Sequence, residues 1–158
     1  MLGITYRVSG LACKVSYPAF CILLLAGFGA ACAESVTVEV QGVAASDPGK
    51  KDQVIPASLA QFKSVLKGTL FGTFSDAGCK TIKPVSGGKD QAVVGAYTVE
   101  VALLQVRGGK AKVEVTIKQG ANPIAKQVLN LSRGEPFMLE VGAKNSPTLL
   151  IFSLKGAE

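Results

Sequence analysis

The chain has 158 residues, 48% hydrophobic and 18% charged, with four cysteines, no histidine and no tryptophan. Histidine is the usual general base near neutral pH and the commonest metal ligand, so its absence removes Ser-His-Asp triads, Cys-His dyads and His-ligated zinc or haem. The formal charge of +6 comes from 17 Lys and Arg against 11 Asp and Glu, interleaved along the chain. No run reaches the five or six like charges of a nucleic-acid or membrane patch, so no nucleic-acid partner is expected.

The first 33 residues read as a secretory signal peptide. Arg7 and Lys14 precede an apolar run from Ala19 to Ala30, and Ala31-Cys32-Ala33 offers small residues where a signal peptidase cuts. The strongly apolar part is about a dozen residues, against roughly 20 for a spanning helix. No membrane span is therefore expected after cleavage. An alternative is acylation at Cys32, which would tether the protein as a lipoprotein, although Gly29 stands where such motifs usually carry an aliphatic residue. Residues 34–158 then form one domain with a charge near +4, since all 11 acids lie there. Cys79 becomes its only cysteine, which excludes a disulfide within the chain and favours a buried, inert thiol.

From Val36 the sequence alternates apolar and polar as far as Gln41, the mark of a half-buried strand, and Ser46-Asp-Pro-Gly-Lys50 is a turn cluster. One short amphipathic helix is predicted over residues 56–67, opened by Pro56. Leu59, Phe62, Val65 and Leu66 share its apolar face, and Gly68 supplies a left-handed end. Leu70, Phe71 and Phe74 follow as the seam between helix and sheet. A turn at Asp76-Ala-Gly78 should then start a new strand at Cys79.

Further strands are expected over residues 80–85, 91–95, 96–106, 110–118, 124–131, 137–141 and 148–154, separated by turn signals. That spacing predicts a mainly β fold, a single antiparallel β-sandwich or small barrel. Thr148–Leu154 is apolar on both alternations, so it should be central or covered. A two-residue Gly108-Gly109 loop would place Leu103 opposite Glu114. That pairing conflicts in polarity, so a G1-type bulge near Gly109 is predicted in place of a clean two-residue turn, setting Leu103 against Val115, Val101 against Ile117 and Glu100 against Lys118.

No catalytic, cofactor-binding or metal site emerges. The two Gly-Gly-Lys stretches at 87–89 and 108–110 sit at hairpin turns and lack Walker spacing. Asp47 and Asp52 are too few for a calcium cage. Glu100, Glu114 and Glu140 are single acids within strands, the first two on an outer face. Sugar stacking would need exposed aromatics, and Phe62, Phe71, Phe74, Phe137 and Phe152 favour the core, with Tyr97 a weak platform.

The run Leu59-x-x-Phe62-x-x-Val65-Leu66-x-x-x-Leu70-Phe71-x-x-Phe74, the turn Leu131-Ser-Arg-Gly-Glu-Pro136 and the final Leu149–Leu154 strand resemble small secreted proteins of envelope-rich bacteria, in which a short helix precedes a β-sandwich. That resemblance implies the fold and a bacterial envelope location, and carries no site residue. The expected function is non-catalytic: a secreted or periplasmic binding or assembly module of the cell envelope that engages a protein partner. The alternatives are a lipoprotein tethered through Cys32 with a surface structural role, and a hydrolase with an unrecognised carboxylate or Ser-Lys site.

Overall fold

A computed structural model describes residues 34–157; the signal-peptide reading, with its cleavage site and Cys32, lies outside them. Among these residues eight strands form two antiparallel four-stranded sheets. They are β1 (Val36–Pro48), β2 (Phe71–Ile82), β3 (Lys89–Val94), β4 (Tyr97–Arg107), β5 (Lys110–Gln119), β6 (Asn122–Ser132), β7 (Phe137–Ala143) and β8 (Ser146–Ala157). The first sheet runs β2-β1-β8-β7 and the second β3-β4-β5-β6, with no closed barrel. The fold is therefore the sandwich form of the sequence expectation.

Strict period-two alternation makes the sandwich core. Tyr97, Val99, Val101 and Leu103 of β4 and Ala111, Val113, Val115 and Ile117 of β5 face inward onto Val36, Val38 and Val40 of β1 and Leu150, Phe152 and Leu154 of β8. Gly42 allows the sheets to close over β1, because a Cβ there would sit 2.6 Å from Val94 Cγ1 of β3.

A second apolar layer covers the other face of the first sheet. Val43 and Ala45 of β1, Phe71 and Phe74 of β2, and Leu149 and Ile151 of β8 pack under Leu59, Phe62 and Leu66. β8 thus lies between β1 and β7 with both faces buried, as its doubly apolar sequence requires.

The helical segment is a 3₁₀ helix, Ala57–Phe62, running into α1, the single turn Lys63–Leu66. Leu59, Phe62 and Val65 recur every three residues, the period at which 3₁₀ side chains eclipse. Leu59, Phe62 and Leu66 are buried, whereas Val65 is only half-buried. The expected left-handed glycine end is absent: Gly68 has no positive φ. Instead Thr69 Oγ1 donates to the Leu66 carbonyl at 2.8 Å and Gly68 N–H to that of Val65 at 3.2 Å.

Two strands depart from expectation through bulges. β2 continues through Asp76-Ala-Gly78 rather than turning there, because Ala77 bulges out of the β1 ladder between the Val43–Asp76 and Gly42–Gly78 pairs. Gly78 takes φ +107°. Asp76 Oδ1 accepts from Gly78 N–H at 2.7 Å and from Gln41 Nε2 at 2.8 Å, so the buried Gln41 amide locks the bulge.

In the β4–β5 hairpin Gly108 and Gly109 form a clean two-residue turn at φ +58° and +74°, with Arg107 opposite Lys110. The extra residue is Leu104, not one beside Gly109. Leu103 therefore faces Val113, Val101 faces Val115 and Glu100 faces Thr116, so the apolar pairs share a face as expected but with different partners. Both glycines tolerate the left-handed turn, so the mismatch is relieved inside β4, where Leu104 is 49% exposed.

Phe152 is the largest fully buried side chain. Phe152→Ala should cost about 3–5 kcal/mol in denaturant unfolding, against under about 0.5 kcal/mol for Val93→Ala on the outer surface.

Candidate partner-binding edge

An open sandwich has four edges, here β2, β7, β3 and β6, and each exposes backbone donors and acceptors. Three carry features that discourage pairing. β2 has the Ala77 bulge and Lys80, and Val54 N–H donates to the Gly72 carbonyl at 2.8 Å to cover part of its length. β3 is six residues long and begins Lys89-Asp90, while β6 carries Pro123 and Lys126. β7 reads Phe-Met-Leu-Glu-Val-Gly-Ala, without lysine, proline or register shift. Phe137 is 36% exposed, and Met138 and Leu139 are half-buried.

Beside β7, on the helix side of the sheet, lies an open groove of ≈ 390 Å³ lined by Leu70, Phe71, Met138, Glu140 and Lys144 among others. Leu70 is 79% exposed, the most exposed large hydrophobic side chain among the described residues. It is not part of the helix–sheet seam, which keeps only Phe71 and Phe74. Its backbone is held firmly. Gln53 Nε2 donates to the carbonyls of Thr69 at 3.1 Å and Phe71 at 2.9 Å, and Gly49 N–H donates to the Leu70 carbonyl at 2.8 Å. Leu70 is thus presented to solvent by a pinned loop. Its sequence signal was misleading, since an apolar residue next to Phe71 reads as core.

The other residues weighed from sequence scatter over the sandwich. Cys79 is exposed on β2, so the expectation of a buried thiol is corrected: it lies on the outer face of an edge strand, opposite Gln41. Partial burial, with Glu39 and Asp76 nearby, raises its pKa, which opposes the thiolate needed for nucleophilic or redox chemistry. Tyr97 is buried rather than a surface platform, and its hydroxyl occupies the space that a Cβ at Gly142 would need. Asp47 accepts from Thr73 Oγ1 at 2.6 Å, and Gly87 sits in a turn at φ +74°. Among the described residues no three Asp, Glu or Cys converge as metal ligands.

Glu100 and Glu114 form a salt-linked outer face on the second sheet. Glu100 lies 3.0 Å from both Lys89 and Lys118, and Glu114 lies 3.0 Å from Lys126. Hydrogen bonds from Lys89 and Lys118 hold the Glu100 carboxyl below its ordinary range. A depressed folded pKa contributes stability above the unfolded value that is lost as pH falls through the folded one. Glu100→Gln should therefore flatten the acid limb of a pH–stability curve below about pH 4.3 while leaving its shape unchanged from pH 6 to 8. Urea unfolding across that range measures it.

Compared with protein-family models, curated proteins and solved structures, the chain matches none.

Proposed function

We propose that this protein is a non-catalytic binding module of the bacterial cell envelope, exported by residues 1–33, that takes an extended segment of a protein partner along β7. The observation that carries this reading is the juxtaposition of the least protected sheet edge with a groove containing a held-out leucine. Strand addition supplies main-chain hydrogen bonds. Alternate side chains of the added strand reach the surface beside Leu70, Phe71 and Met138, where selectivity would reside. Five residues, Phe137 to Val141, precede Gly142, whose φ of +98° ends the regular edge. Among the described residues no helix is long and apolar enough to cross a membrane.

A photo-crosslinking residue at position 70 should capture an extended segment of an envelope protein, whereas one at Val93, on the β3 edge, should not. Equal capture from both positions would contradict it. Leu70→Asp should preserve folding and weaken that partner by about 1.5–3 kcal/mol, roughly tenfold to a hundredfold in Kd. Mass spectrometry of the exported N-terminus separates the reading from lipid tethering, because acylated Cys32 would carry an added lipid mass.

A further inference from the structure

On the outer face of the second sheet the lysines in the middle are paired with carboxylates, and the cations at one end are not. Lys89, Lys118 and Lys126 each lie 3.0 Å from a glutamate. At the β4–β5 hairpin, Arg107, Lys110 and Lys112 are exposed, and none has a carboxylate within ion-pair distance among the described residues. Arg107 stands directly opposite Lys110, a like-charge cross-strand pair that costs stability.

The Leu104 bulge creates this arrangement. Val106 packs inward against the core, so Gln105 and Arg107 point outward with Lys110 and Lys112. An unbroken alternation from Leu103 would have turned Gln105 and Arg107 inward. Re-aiming side chains is a recurrent use of bulges at functional sites. In the ladder Gln105 faces Lys112, and Lys112 faces Asn130 of β6. These five side chains, with Ala111, line an open depression of ≈ 400 Å³.

We infer that this depression binds a carboxylate-bearing polysaccharide. The three cations supply charge-assisted donors for its carboxylates. The Gln105 and Asn130 amides both donate and accept, which suits sugar hydroxyls. No lining residue is aromatic, so neither nucleobases nor sugar rings can stack there, and recognition rests on the three cations and the two amides. The site is separate from β7 and does not depend on the strand-binding reading.

The test is fluorescence anisotropy of the full domain with labelled polygalacturonate, alongside neutral dextran and duplex DNA at equal mass concentration. The wild type should bind polygalacturonate at about 50 mM salt, lose on the order of tenfold affinity by about 200 mM, and ignore dextran. Arg107→Gln, Lys110→Gln and Lys112→Gln combined should weaken binding at least about tenfold without lowering Tm, because they remove a repulsion. Lys112→Gln alone should give an intermediate loss. The pair Lys50→Gln and Lys51→Gln, in the loop after β1, should leave binding within about twofold. Absence of polygalacturonate binding, an equal loss in the Lys50 and Lys51 control, or tighter binding of DNA would overturn the inference.

Discussion

β8 is buried on both faces, and the rest of the molecule follows from that constraint. Leu149, Leu150, Ile151 and Phe152 are consecutive, and each is fully buried. In a strand, neighbours point to opposite sides, so a single sheet packed on one side would leave two of the four in water. At about 1.5–3 kcal/mol per large apolar side chain, neither face can be left open. The second sheet covers Leu150 and Phe152, and the helical connection covers Leu149 and Ile151. β1 shares the burden, with Val38 and Val40 on one side and Val43 and Ala45 on the other.

Placing β1 and β8 in the centre pushes β2 and β7 to the edges and assigns them different fates. β2 is twisted by its Ala77 bulge and partly covered by Val54, whereas β7 is short and regular as far as Val141. The helical layer that protects β8 also ends in the loop bearing Leu70, so the groove beside β7 is a by-product of the cover that β8 demands. The second sheet has no such cover. Its outer face is solvated, with Lys89, Lys118 and Lys126 paired to Glu100 and Glu114, and with unpaired cations where the Leu104 bulge turns Arg107 outward beside Lys110 and Lys112.

Much of the architecture was legible in the sequence because it rests on period two. The alternation over Tyr97–Leu103 and Ala111–Ile117 marks the core face, and the doubly apolar β8 announces its central place. What escaped lies at irregularities. A bulge adds one residue without a composition signal, and Leu103-Leu104 offers two apolar neighbours with nothing to show which leaves the ladder. Asp76-Ala-Gly78 has turn chemistry but is held in the strand by the Gln41 amide, a partner 35 residues away. Leu70 looks like core because its exposure depends on Gln53 and Gly49, which pin the loop from another segment. Edges and bulges carry no local motif, which is why neither the β7 groove nor the depression beside Leu104 was visible beforehand.

Native-state hydrogen exchange tests the central role of β8 most directly. If β8 carries the fold, the amides of β8 and β1 should exchange last and together, only through global unfolding, while those of β7 open at lower free energy. β8 amides that exchange as fast as those of β7, or well before those of β4 and β5, would contradict it.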